Sequence, residues 1–134
     1  MLKENNSKTA LIVEDSPTQA MRLKHVLSEN GLATIWARDG EEGLHCAQLL
    51  QPDIIILDIE LPGMNGLQVC KLLKEDRHTR FISVILLTKF DDREIVKSGL
   101  QAGAIEYIPK DAFSDAVLLE TLRVKGLIHE VEFA

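Results

Sequence analysis

Apolar positions along the chain fall into short unbroken runs, separated by stretches in which they recur every three or four residues. Residues 10–13, 54–57 and 84–87 are the unbroken runs; residues 32–37 and 104–108 are weaker ones that carry polar residues such as Thr34 and Glu106. Apolar runs of this length, bounded by turn formers, predict strands. Each run leads into a helical pattern. Met21, Leu23, Val26 and Leu27 mark the first helix, and Leu44, Ala47 and Leu50 the second. Leu67, Val69, Cys70, Leu72 and Leu73 mark the third, Ile95, Val96 and Leu100 the fourth, and Val117, Leu118, Leu119, Leu122 and Val124 the fifth. Cap chemistry sets the expected boundaries. The first helix opens at Ser16 or Asp15, carries Pro17 in its first turn and stops at Gly31. Asn65 caps the third, Asp91 and Asp92 open the fourth, Gly103 closes it, and Ser114 or Asp115 starts the fifth.

Strand and helix alternate five times at the spacing of a βαβ unit, so right-handed crossovers give a single α/β domain with a parallel sheet and helices on both faces. The first, third and fourth strands are continuously apolar, as strands covered on both faces are. The second and fifth, with their polar residues, belong at the edges. The expected architecture is a (βα)5 flavodoxin-like, doubly wound sheet of order 2-1-3-4-5. The folded unit spans residues 9–128, between a disordered tail over 1–8 and a tail or linker over 129–134. In such a sheet the ligand crevice lies beyond the carboxyl ends of the strands, where the order reverses between the first and third.

Three carboxylates fall in that crevice: Glu14 and Asp15 after the first strand, and Asp58 after the third. Carboxylates so close repel one another unless a cation sits among them. Hard oxygen ligands of this type suit Mg²⁺, which takes a few carboxylates and keeps several waters. Thr88 ends the fourth strand and Lys110 follows the fifth. A hydroxyl and an ammonium beside a metal-bound carboxylate can hold a phosphoryl anion.

Composition narrows the function further. The 134 residues carry 15 basic and 21 acidic side chains, a formal charge of −6. Nucleic-acid binding rests on clustered Lys and Arg, so that balance argues against direct nucleic-acid contact. No apolar run is long enough for a membrane span, and the polar start of the chain lacks a signal-peptide core. A soluble, cytoplasmic protein is expected, and the Asn5-Asn6-Ser7 triplet reads as chance. Cys46 and Cys70 have no metal spacing and read as core fillers, and Trp36 reads as edge packing. The four histidines are scattered and form no metal site or nucleophile pair.

The motifs Leu11-Ile-Val-Glu-Asp-Ser-Pro17, Ile54-Ile-Ile-Leu-Asp-Ile-Glu-Leu-Pro-Gly-Met-Asn-Gly66, Leu86-Leu-Thr88 and Gly103-Ala-Ile-Glu-Tyr-Ile-Pro-Lys110 closely resemble those of the response-regulator receiver domain of two-component signalling. The resemblance runs from about residue 9 to 128 with the motifs in order. It implies that Asp58 is the phosphoacceptor, and that Glu14, Asp15, Asp58 and the Glu60 carbonyl hold Mg²⁺, with Mn²⁺ a substitute. It also implies that Thr88 and Lys110 contact the phosphoryl group, and that Tyr107 is an exposed aromatic switch moving with Thr88. The phosphoryl donor would be a sensor histidine kinase or a histidine phosphotransfer protein. Output would pass through the face made by the fourth helix, fifth strand and fifth helix, which can also support a phosphorylation-dependent dimer. Such a domain catalyses only its own phosphorylation and dephosphorylation.

The chain departs from the family pattern in three ways. Asp111 stands where a Pro usually follows the Lys, with Pro109 before it, which leaves the loop after the fifth strand open. Lys89 replaces a small residue, and its stem is expected over the mouth of the site. Glu60 and Phe90, the third, flank the phosphorylation site at positions that the resemblance links to how long the phosphoryl group survives; together with Lys89 they are expected to set its lifetime. The short segment after the fifth helix leaves two expectations, a stand-alone regulator or a receiver from a longer protein such as a hybrid kinase.

Rival readings fit less well. A haloacid-dehalogenase-type phosphatase wants Asp-x-Asp on its first strand and a cap domain. A flavin carrier wants a Ser/Thr/Gly-rich phosphate loop where Glu14 and Asp15 stand, and aromatics beyond the 4% present. A receiver-like module working without phosphorylation would have lost pocket residues, and all are retained.

Overall fold

The computed structural model describes residues 8–90 and 92–129. Five parallel strands alternate with five helices: β1 Thr9–Val13, α1 Pro17–Glu29, β2 Ala33–Ala37, α2 Gly40–Leu50, β3 Ile54–Leu57, α3 Gly66–Glu75, β4 Ser83–Thr88, α4 Arg93–Gln101, β5 Glu106–Pro109 and α5 Ser114–Val124. The sheet order is β2-β1-β3-β4-β5, as the apolar runs predict.

Alternation along the three central strands divides the core in two. Ala10, Ile12, Ile54, Ile56, Ile85 and Leu87 point to the face covered by Leu23 and Leu27 of α1 and Leu118 and Leu122 of α5. Leu11, Val13, Ile55, Leu57, Val84 and Leu86 point to the other, against Ala47 of α2 and Val69, Cys70 and Leu73 of α3. A strand that feeds two layers has no polar face, which is why these three read as unbroken apolar runs.

Several boundaries differ from expectation. β5 begins at Glu106 rather than 104, although Ile105 N–H already reaches Val84 O at 2.9 Å just ahead of the ladder. Ser16 caps α1 through Gln19 N–H at 3.3 Å, Asn65 closes a full capping box on α3, and Asp92 caps α4. Asp91 and the Asn5-Asn6-Ser7 triplet lie outside the described residues, as do most of the two expected tails. α5 starts at Ser114, one of the two expected positions; Phe113 occupies the cap position with no side-chain bond, while Ser114 Oγ donates to Asp111 O at 3.0 Å. Met21, Leu50, Leu72, Leu100, Val117 and Val124 keep helical spacing yet stand exposed on the outer edges of their helices. Cys70 is buried, its thiol pushed up to about 11 by desolvation, and Cys46 is half-buried.

Among the described residues no peptide bond is cis, and no helix is long and apolar enough to cross a membrane. The loop after β5 is closed by Asp111 where the family carries Pro: its Oδ1 accepts from Phe113 N–H at 2.8 Å.

Candidate functional site

The site is assembled by strand ends. Asp58 N–H donates to Val13 O at 3.1 Å, extending the β1–β3 ladder by one residue and setting Asp58 beside Glu14. Glu14 N–H in turn donates to Ala37 O at 3.1 Å, so the end of β2 holds the end of β1. The Trp36 indole N–H adds a bond to the Glu14 carbonyl at 2.8 Å. Trp36 therefore braces the backbone at the site, a role that edge packing does not describe.

Behind Asp58 the chain turns into α3 over Gly66, whose N–H donates to Ile59 O at 2.9 Å. A Cβ on Gly66 would lie 2.1 Å from the Asp58 carbonyl oxygen, so only glycine lets α3 start this close to the end of β3.

Glu14, Asp15 and Asp58 each offer a carboxylate oxygen, all within 4.8 Å of one another. Glu14 and Asp58 are almost fully buried and Asp15 is exposed, which leaves the cluster one open side. Lys110 enters from the end of β5, with its own N–H held by Thr88 O at 2.8 Å. Its Nζ donates to Glu14 Oε1 at 2.7 Å and to Asp58 Oδ2 at 2.9 Å. A third bond goes from Nζ to Gln19 Oε1 on α1. Asp58 Oδ1 accepts from Glu60 N–H at 3.1 Å.

Three carboxylates against one ammonium leave two negative charges, and the oxygen donor set suits a hard divalent cation. Desolvation holds the Glu14 carboxyl above its ordinary value, against the opposing pull of the Lys110 bond, and the charge on Asp58 adds to the rise. Burial works against the Lys110 ammonium, yet its bonds to Glu14 and Asp58 outweigh that and raise its pKa.

The remaining expected residues sit around this cluster. Thr88 is fully buried at the end of β4, and its Oγ1 accepts from Phe90 N–H at 3.4 Å. Phe90 is half-buried against the core, and its carbonyl accepts the Tyr107 hydroxyl hydrogen bond. The Tyr107 ring is thus half-buried against the α2–α3–α4 side of the core rather than exposed as expected. Lys89 does not lean into the carboxylates; its Nζ pairs with Glu60 Oε1 at 3.1 Å, outside the crevice.

Sequence reading missed Gln19, Trp36 and Gly66. Gly66 carried a signal, as a glycine directly after a helix-capping Asn. Trp36 and Gln19 carried none, since each acts through a contact made only by the folded chain.

The sequence matches the family model of the response regulator receiver domain over residues 10–123. It is 35% identical over 112 residues to protein PilH of Pseudomonas aeruginosa, covering 84% of this chain and 92% of PilH. Other curated relatives are longer, and this chain spans 42% and 51% of two of them. The receiver domain of a signal transduction histidine kinase from Syntrophus aciditrophicus superposes with a TM-score of 0.81 at 38% identity, covering 96% of this chain and 98% of that one. The receiver domain of sensor histidine kinase PA1611 from Pseudomonas aeruginosa, solved with a magnesium ion coordinated in its active site cleft, gives 0.80 at 25% identity, covering 88% and 96%.

Proposed function

Because this chain belongs to the response regulator receiver family of two-component signalling, a phosphoacceptor module that works with histidine kinases or phosphotransfer proteins, we propose that it accepts a phosphoryl group on Asp58. The observation that carries this reading is the cluster itself. Glu14, Asp15 and Asp58 converge at one sheet edge, with the Lys110 ammonium bonded to two of them.

An Asp58 carboxylate oxygen attacks the phosphorus of a phosphohistidine. The P–O bond forms as the P–N bond breaks, and the imidazole leaves with the electron pair. Glu14, Asp15, Asp58 and the Glu60 carbonyl would hold Mg²⁺, or Mn²⁺ in its place, and the bound cation would supply positive charge against the charge that develops on the phosphoryl oxygens. Lys110 and Thr88 bind those oxygens through their ammonium and hydroxyl groups. Loss of phosphate is a second substitution at phosphorus: a water oxygen bonds to it as the bond to Asp58 breaks, the carboxylate departs with the electron pair, and the water's protons leave on the released phosphate. The domain thus catalyses its own phosphorylation and dephosphorylation.

The new dianion draws Thr88 and Lys110 toward it and breaks the present balance of bonds. Tyr107, tied to the carbonyl of Phe90 two residues beyond Thr88, shifts with that loop. The face of α4, β5 and α5, where Leu100, Ile105, Val117 and Val124 are exposed, then changes shape for a partner or a second copy. A two-state bias of a few kcal/mol is enough for such a switch.

The test is labelling with radioactive acetyl phosphate and Mg²⁺. Wild-type protein should take up acid-stable, base-labile phosphate, and Asp58→Asn should take up none. Label that persists in Asp58→Asn would overturn the assignment.

A further inference from the structure

Two helices of this chain begin with the same signal, an N-cap residue followed three positions later by Gln: Ser16-Pro17-Thr18-Gln19 before α1, and Asn65-Gly66-Leu67-Gln68 before α3. In a capping box the N-cap side chain accepts from the N–H of the third helical residue, whose own side chain reaches back to the N-cap N–H. At α3 both halves form, with Gln68 N–H to Asn65 Oδ1 at 3.0 Å and Asn65 N–H to Gln68 Oε1 at 3.0 Å. At α1 only the first half forms, Gln19 N–H to Ser16 Oγ at 3.3 Å. The second half is displaced because Ser16 N–H donates instead to Glu14 Oε2 at 3.1 Å. The Gln19 side chain is left over from its own cap and turns to Lys110, where its Oε1 accepts from Nζ.

An ammonium has three protons and no lone pair, so the atom of Gln19 facing it is the oxygen. Glu14 Oε1, Asp58 Oδ2 and Gln19 Oε1 then take all three. Of these acceptors only Gln19 is neutral, and only Gln19 is neither the phosphoacceptor nor a candidate cation ligand. Its bond therefore remains available when the two carboxylates take up a cation or a phosphoryl group.

We propose that Gln19 is the positioning residue for Lys110: it holds the ammonium over the crevice by a neutral bond that survives when Glu14 and Asp58 are drawn to other partners. Holding by an amide rather than a carboxylate also keeps a fourth negative charge away from an anionic phosphodonor. This inference rests on the phosphoacceptor reading of Asp58.

The test compares wild type, Gln19→Met and Gln19→Glu. Methionine matches glutamine in length but accepts no strong hydrogen bond, whereas glutamate keeps an acceptor at the same reach. In both variants the backbone N–H of residue 19 still caps onto Ser16, so the start of α1 is retained. Two quantities are measured: the ¹⁵N–¹H resonance of the Lys110 ammonium, which needs slow proton exchange to be seen, and the labelling rate at saturating acetyl phosphate and Mg²⁺. Gln19→Met should lose the resonance and label about fivefold more slowly, the equivalent of one ordinary hydrogen bond. Gln19→Glu should keep the resonance and most of the saturated rate. A Gln19→Met protein that keeps the resonance or the wild-type rate overturns the proposal. So does equal slowing in both variants with the Lys110 signal intact, which would trace the effect to the helix. A wild type that takes no label at Asp58 overturns the phosphoacceptor reading instead, and this inference with it.

Discussion

Lys89 shows how a single contact changes what a charged residue is expected to do. From its place after Thr88, its long stem was expected over the mouth of the site. The folded chain instead gives its ammonium to Glu60, with the two side chains 67% and 51% exposed. An ion pair that open is worth about 0.2–1 kcal/mol. It nevertheless ties the loop after β3 to the loop after β4, the two segments that flank Asp58. Its effect on the approach of water to phospho-Asp58 is bounded by the strength of that tie. Lys89→Ala should therefore speed loss of phosphate by about threefold, near 0.7 kcal/mol of barrier. Release of label from purified phosphoprotein measures it. Glu60→Gln should act in the same direction, and the double variant should exceed neither single one by much, since both remove one interaction. Decay indistinguishable from wild type in Lys89→Ala would leave the residue with solubility as its only role.

At the scale of elements, the site depends on how closely α3 approaches the end of β3. Gly66 sets that distance, because any Cβ there meets the Asp58 carbonyl oxygen and the Ile59 backbone, neither of which can rotate away. Gly66→Ala should cost about 1–3 kcal/mol through forced backbone shifts, and slow labelling of Asp58 even in the protein that remains folded. Denaturant melts beside labelling rates separate the two effects; unchanged stability would mean α3 can move without disturbing Asp58. The strands and their order were legible because burial on both faces leaves an unbroken apolar word in the sequence. Helix ends were legible where a side chain makes the cap, as at Ser16, Asn65 and Asp92; at α5 the start at Ser114 was legible but the cap was not, since Phe113 makes no side-chain bond. Exposed apolar residues such as Val124 keep helical spacing and so look buried until the neighbouring layer is known. Glu14, Asp15, Asp58 and Lys110 were legible because topology alone brings strand ends together. The third bond of Lys110 was not, since Ser16-x-x-Gln19 spells the same cap that α3 completes.

For the whole molecule, the crevice carries an electrostatic cost of folding that a divalent cation should relieve, and the Glu14 pKa gives the cost a pH window. The folded-state pKa of Glu14 lies above its ordinary value of 4.5, so folding favours the protonated carboxyl. The stability Glu14 contributes is complete below 4.5 and is lost as pH rises through the raised value. Lys110 is also raised, but from 10.5, so its contribution stays constant through neutrality and falls away only at alkaline pH. A cation bound only by the native state competes with the Glu14 proton, so the rise in melting temperature it causes should grow as pH increases across the Glu14 window. At a concentration ten times its Kd, Mg²⁺ should add roughly 1.4 kcal/mol at neutral pH, about 4 °C in melting temperature. That increment should shrink toward zero as pH falls to the ordinary glutamate range. Asp15→Asn should remove most of it at every pH by deleting one oxygen ligand, while Glu14→Gln should flatten its pH dependence. Trp36, the one tryptophan of the chain, is bonded to the Glu14 carbonyl and supplies a fluorescence titration of the same event. A Mg²⁺ increment that is absent, or that does not change with pH, would mean the three carboxylates do not act together as a cation site.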